Sequence, residues 1–222
     1  MLLPAPSDVL LTLVQGLKEG TLLLAFFSSL RRILVSFTLA LTLGITGGLM
    51  LGRIFWLDRL LGSLIIALQS IPSVVWLPLA LLWFGMGEGA IIFITSLGAT
   101  WTMIINTGAG VKRIPPLIIK AAQTMGVSRL QLFTRVIVPA SVPAILTGMR
   151  LAWAFAWRAL MAGELLSSGT GLGQVLMMGR NLADMSQILA VMVIIGATGV
   201  AVDGFIFRRL EERVHRRWGL TG

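Results

Sequence analysis

Charged side chains in an apolar run are expensive, roughly 2.5–3.5 kcal/mol at the centre of a span on insertion scales, so those that persist face a bundle interior, a watery cavity or a partner. The sequence places three in the stretch 140–166: Arg150, Arg158 and Glu164. Arg150 and Arg158 are eight residues apart, on neighbouring parts of one helix surface and about 12 Å apart along its axis. A guanidinium so placed is suited to attracting or passing an anion, and that is the expectation for Arg158. The alternative is that Arg158 is paired with a carboxylate such as Glu164 of a second copy. Arg150 reads as structural, snorkelling or bonded to a backbone carbonyl. Glu164 either gates an outer mouth or packs against the segment Ser167–Gln187. Gln69 and Ser70 are further candidates to hydrogen-bond a solute. Trp153 and Trp157, four residues apart, read as packing, and Asp203 as the partner of a nearby arginine.

Little other chemistry is available. There is no Cys and no Tyr, the single His is His215, and only nine carboxylates exist. Disulfides and thiol catalysis are excluded, no metal site is expected, and general acid–base catalysis has few players. The chain therefore reads as a non-enzyme. It also lacks a G-x-x-x-x-G-K-[ST] phosphate loop, so it binds no ATP through one. A second pattern is mechanical. Lys120-Ala121-Ala122 precedes Gly126, and Val136, Val138 and Pro139 follow, in a basic stretch between two apolar ones. Small residues at 117–125 let another surface approach a short helix closely. Gly126 permits a sharp turn at its end. Ser128 caps a second helix, Arg129–Val136, and Pro139 is expected to break the chain before the next span.

These residues need a scaffold, and the composition says which kind. The chain is 56% hydrophobic and 12% charged, about half the charge of a soluble domain. It reads as one membrane domain, residues 1–222, all-α and polytopic. Five stretches are long and apolar enough to span a bilayer: 33–51, 62–84, 90–107, 140–166 and 188–207. Residues 8–20 form an amphipathic helix, lying in the membrane interface or packed on the bundle. Gly44, Gly48 and Gly52 repeat every four residues and predict a helix-packing face. Pro72 and Pro78 predict a bent second span, lining a cavity or simply kinked.

Twelve of the eighteen Lys and Arg fall in the loop 108–139, the C-terminal tail and at Arg53 and Arg59. These regions share one side by span count, which is expected to be cytoplasmic, with the N-terminus out and the C-terminus in. Arg31 and Arg32 then sit at the outer end of the first span and are expected to snorkel to headgroups. The net charge of +9 is thereby explained by orientation rather than by nucleic acid, which needs a basic soluble surface.

The stretch 120–139 resembles the coupling motif of binding-protein-dependent ABC importer permeases: Glu-Ala-Ala, three residues, Gly, nine residues, Ile, one residue, Leu-Pro. Ala121, Ala122, Gly126, Val136, Val138 and Pro139 keep that spacing, with Val for Ile and Leu, and Lys120 departs from the usual acidic residue. The segments Ile71–Leu79, Trp83-Phe84-Gly85, Thr147–Leu151, Ala162–Leu166 and Gly171-Leu172-Gly173 look like the members that import nitrate, sulfonates, taurine or bicarbonate. Such members usually carry one more N-terminal helix, and this chain starts near where it would end, at Leu3–Ser7.

The resemblance implies a type I importer permease core in the bacterial inner membrane. It implies two permease copies around a two-fold axis and two ATPase subunits that hold ATP and Mg. It also implies an extracytoplasmic solute-binding protein and a coupling loop at 115–139 that includes Lys120, Ala121, Ala122, Gly126, Arg129 and Pro139. Two copies of Arg158 across the dyad would make a cationic ring. The competing class is an ion-gradient-driven secondary transporter. That class predicts an inverted repeat and mid-membrane carboxylates, and no repeat is visible between the halves.

Overall fold

The computed structural model describes residues 4–167 and 169–217; the side chains of His215 and Arg217, and Leu3 of the expected start, lie outside the described residues. Helix α1, Pro6–Lys18, begins with Pro at its first position and with Asp8 accepting from the Ala5 N–H at 3.2 Å, an arrangement that satisfies a free donor of the first turn. Helix α2, Thr21–Arg53, is 33 residues long, about 50 Å of helix against roughly 30 Å of hydrocarbon. Helix α3, Phe55–Ser70, follows after one residue, Ile54. A 3₁₀ turn, Ser73–Trp76, and α4, Leu77–Phe84, come next. Helix α5 is Glu88–Lys112, α6 is Pro116–Thr124 and α7 is Arg129–Leu132. A π-turn, Phe133–Ile137, leads into α8, Val138–Leu166. Then come α9, Leu172–Asn181, and α10, Met185–Val202. A second π-turn, Asp203–Phe207, leads to α11, Arg208–Arg217.

Among the described residues, four helical runs are long and apolar enough to cross a membrane, and a fifth is possible if a bent pair is counted as one span. The bent pair is α3 with the Ser73–Phe84 run, which meet at 94°. Pro72 explains the break: it lacks an N–H for the ladder and pushes Ile71 into extended backbone, where ψ is 119°.

Several expected boundaries move, and two of the shifts have a clear physical reason. The first span was expected to start after Arg31 and Arg32, but α2 runs through both without a break. Pro139 was expected to break the chain, yet helix continues from Arg129 to Leu166. The π-turn explains this. The Val138 N–H reaches back five residues to the Phe133 carbonyl, a wider turn that relieves the crowding a proline ring causes in tight α-helix. Pro143 likewise sits inside α8.

The fold resolves into two compact units. The first comprises the described residues of Met1–Thr38, Pro72–Leu97 and Ala154–Val202; the second comprises those of Leu39–Ile71, Gly98–Trp153 and Asp203–Gly222. In the first, Leu77, Ala80, Ala90 and Ile94 form a buried cluster. In the second, the glycine row of α2 lies against α5. A Cβ on Gly44 would stand 2.4 Å from Met103 Cβ, on Gly48 2.5 Å from Thr107 Cβ, and on Gly52 2.5 Å from Val111 Cβ. The helices are close because these positions have no side chain, and the gain is dispersion along three turns.

A substitution tests that packing. Gly48→Val would also press on the Ile104 carbonyl oxygen, 2.7 Å from the added Cβ, which is backbone and cannot rotate away. We expect a loss of about 1–3 kcal/mol, read as a lowered melting temperature in detergent. Gly196→Ala, with no atom within 4 Å of the added carbon, should leave it unchanged.

Candidate functional site: an exposed elbow and a buried ion pair

The stretch between α5 and α8 is built as an elbow, in the second unit. α6 ends at Thr124 with Met125 as its cap, and Gly126 adopts φ +77°, a conformation that costs any L-residue roughly 1–2 kcal/mol. The Val127 N–H bonds to the Ala122 carbonyl and the Gly126 N–H to that of Gln123. These are the two bonds of a Schellman motif. One residue later Ser128 caps α7. Its Oγ accepts from the Gln131 N–H at 3.3 Å, while Gln131 Oε1 accepts from the Ser128 N–H at 3.2 Å, a reciprocal capping box. The stop signal of one helix and the start signal of the next thus abut, and the corner has few remaining freedoms.

The elbow is anchored from beneath. Val111, Ile114, Leu132 and Ile137 are buried together, with Ile119, Ala122, Val127, Phe133 and Val136 packed against them. Its outer side is uncovered: Lys120, Ala121, Gly126 and Arg129 are exposed. Beside them stand Leu117, Met125 (82% exposed) and Leu130 (73% exposed). Pro139 is half-buried inside the continuing helix. The apolar side chains were not singled out in the sequence, where a Leu or Met in so apolar a chain carries no signal.

The charged residues separate into different settings. In the second unit, Arg150 makes a fork to Asp203, Nε and Nη2 each donating at 2.6 Å, and Nη1 donates to Glu211 at 3.1 Å. Asp203 therefore has an arginine partner as expected, whereas Arg150 is bound to carboxylates rather than to a backbone carbonyl. The fork ties α8 to the π-turn and to α11. Gln69 Nε2 donates to Thr102 Oγ1 at 3.2 Å, and Ser70 donates to the Ala67 carbonyl just before the bend. Trp153 is buried with its ring 6.1 Å from that of Phe207.

In the first unit, Arg158 is exposed on α8. It donates to the Ala154 carbonyl at 3.2 Å, and its guanidinium lies 4.5 Å from the centre of the Phe155 ring. Ala154 and Phe155 share its exposed face, while Trp157, the residue before it, is buried.

Glu164 is 1% exposed and Arg32 2% exposed, and the two meet. Arg32 Nη1 donates to Glu164 Oε1 at 2.9 Å and to the Thr170 carbonyl at 2.5 Å, and Nη2 donates to Glu88 Oε1 at 3.1 Å. Ser29 donates its hydroxyl to Glu164 at 2.7–2.8 Å and accepts from the Leu172 N–H at 2.9 Å. The Gly173 N–H donates to Glu164 Oε2 at 3.0 Å. Arg31, which is exposed, also pairs with Glu88. The expectation that both arginines snorkel to headgroups is thus corrected. Arg32 is neutralised inside the protein, and Arg31 is matched by a carboxylate at the start of α5. Of the two readings for Glu164, the geometry is that of packing against the segment after α8, since Gly171 and Gly173 leave no room for a side chain beside the carboxylate. A faint signal existed in the sequence. Ser29 and Arg32 are three apart, hence neighbours on one helix face, but nothing in the sequence said that this face meets α8.

The pair makes a stability prediction. Arg32→Met leaves Glu164 buried and uncompensated, which costs about 3–5 kcal/mol; Glu164→Met costs less, because Arg32 keeps Glu88 as a counter-ion. The double variant Arg32→Met/Glu164→Met should melt above either single variant, measured by scanning fluorimetry in detergent. A double variant as unstable as the sum of the singles would contradict the pairing.

Known proteins share this chain's sequence family and its fold. The family described as the binding-protein-dependent transport system inner membrane component matches residues 40–219. A chain of Methanocaldococcus jannaschii named as an ABC transporter permease protein is 38% identical over 94% of this chain and 79% of its own. A nitrate import permease protein of Leptolyngbya laminosa is 33% identical over 82% of this chain and 67% of its own. A bicarbonate transport system permease protein of Synechococcus elongatus is 32% identical over 86% and 69%. In fold, the chain is similar to one from an inward-facing MetNI methionine ABC transporter, with a TM-score of 0.76 at 20% identity, covering 89% of this chain and 97% of that one. The chain therefore belongs to the binding-protein-dependent transport system inner membrane component family, as a multi-pass permease subunit of an ABC importer.

Proposed function

We propose that this chain is one half of a homodimeric permease that admits a small anion, and that a separate ATPase drives it through the elbow at 115–139. The observation that carries the reading is the elbow itself: a corner held by a Schellman motif and a capping box, with Leu117, Met125 and Leu130 uncovered. Apolar side chains on a basic, rigidly held loop favour a protein partner, and the rigidity lets force applied at α6 reach α8 without being lost in the turn. ATP and Mg belong to that partner. A solute-binding protein delivers the anion on the opposite face.

Charge supports the orientation. Thirteen of the eighteen Lys and Arg, and four of the nine Asp and Glu, belong to the second unit. That unit therefore carries all of the +9 and the first is neutral by formal count. An excess of basic residues near span ends marks the cytoplasmic side, so the elbow and the C-terminus face the cytoplasm and the N-terminus lies outside.

The solute class follows from Arg158 and from the relatives. A cationic side chain exposed beside Ala154 and Phe155 is costly against lipid and suited to a watery path at the two-fold axis, where two copies would present two guanidinium groups. Nitrate and bicarbonate, named for two relatives, are small anions that such a pair attracts. Gln69 and Ser70, at the bend, are the neutral hydrogen-bonding candidates along the path.

Two measurements test this. Met125→Asp and Leu130→Asp, both on exposed positions, should weaken co-purification of the ATPase by about tenfold or more while the helical circular dichroism stays unchanged. Retained association would remove the elbow as the docking point. Arg158→Gln should lower anion uptake by about tenfold with assembly intact; unaltered uptake kinetics would take Arg158 out of the path.

A further inference from the structure

The corner between α2 and α3 brings exposed aromatic and basic side chains together. It has a single linking residue, Ile54, and Phe55 and Trp56 project from it at 68% and 71% exposure with their rings 6.3 Å apart, edge to face. Leu60 and Leu64 continue the exposed apolar surface along α3. Arg53 closes α2 and Arg59 stands one turn beyond Trp56; both are exposed. Asp58, next to Arg59 in the chain, is engaged by Lys112 Nζ at 2.5 Å. Among the described residues, no ion pair engages Arg53 or Arg59. Indole rings favour the boundary between hydrocarbon and headgroups, and paired arginines suit phosphate oxygens.

We propose that this corner binds an anionic phospholipid, with Arg53 and Arg59 on its phosphate and Phe55, Trp56, Leu60 and Leu64 along its acyl chains. A zwitterionic lipid would bring its own cation to the same place, so the corner selects net negative charge. Trp56, Leu60 and Leu64 recur every four residues of α3 and so share one face along which an acyl chain can lie. A soluble protein partner would not need the leucine run of α3, and a second copy of the chain would bring two more arginines against these two.

Trp56 is the reporter. The full-length chain is reconstituted into phosphatidylcholine vesicles containing a tenth of brominated phosphatidylglycerol or, separately, a tenth of brominated phosphatidylcholine. The Trp56 signal is the difference between the native chain and Trp56→Phe. Brominated phosphatidylglycerol should quench that signal as if enriched roughly tenfold at the corner, since two basic groups near a headgroup act together. Arg53→Gln/Arg59→Gln should abolish the preference while quenching by both lipids persists. Soluble glycerol phosphate at millimolar concentration should not reverse it. Equal quenching by the two lipids in the native chain would overturn the proposal, as would reversal by glycerol phosphate, which indicates a site for the free anion. Protection of Trp56 from both quenchers would also overturn it, because the corner is then covered by protein.

Discussion

A guanidinium that is almost wholly buried has no water to share its charge, so its position constrains everything it touches. Arg32 meets that constraint with Glu164 and Glu88 and with one backbone carbonyl, and Glu164 completes its own shell with Ser29 and a backbone N–H. Four pieces of the first unit are joined in this way: α2, the start of α5, the end of α8 and the segment leading into α9. Remove Arg32 and Glu164 is left as a charge without a counter-ion in a medium that cannot solvate it; remove Glu164 and Arg32 keeps only Glu88. The pair is weak evidence for stability in itself. What it does is join these four pieces through specific hydrogen bonds.

The second unit is held differently. Its closeness comes from absence: three glycines on α2 let α5 lie against backbone, and Gly110 does the same for Ala144 of α8, where an added carbon would stand 2.4 Å from that Cβ. Charges here sit nearer the surface, and the Arg150 fork to Asp203 and Glu211 pins α11 to α8. Such half-exposed pairs are worth less than a buried one, and this one acts mainly to set the direction of the C-terminal helix. The elbow is then fastened to this unit by a small apolar cluster, with hydrogen bonds at the corner and side chains left uncovered beyond it.

Each unit therefore suits a different task. A neutral unit locked by a buried ion pair resists changes of shape within itself. A unit that carries the whole net charge, an exposed corner of aromatics and arginine, and a rigid elbow offers surfaces for partners. The continuity of α2, α5 and α8 through both sets of residues links them covalently.

Much of this was legible in the residues. The number of apolar runs, the amphipathic first helix, the close-packing glycines and the turn at Gly126 with its following cap all follow from local chemistry: hydrophobic length, helical period, and the φ and hydrogen bonds a turn requires. The same local logic mislaid Pro139 and the arginine pair. A proline stops an ideal α-helix, but a π-turn widens the ladder just before it, with Leu132 and Ile137 at its two ends buried in the cluster beneath the elbow. Arginines end a span when only lipid surrounds it, but Arg32 stays in one because a carboxylate 132 positions away arrives beside it. Spacing along a chain reports which groups share a face of one helix. Which face meets which, and so whether a charge is a ligand for solute or half of a buried pair, is decided only when distant helices pack.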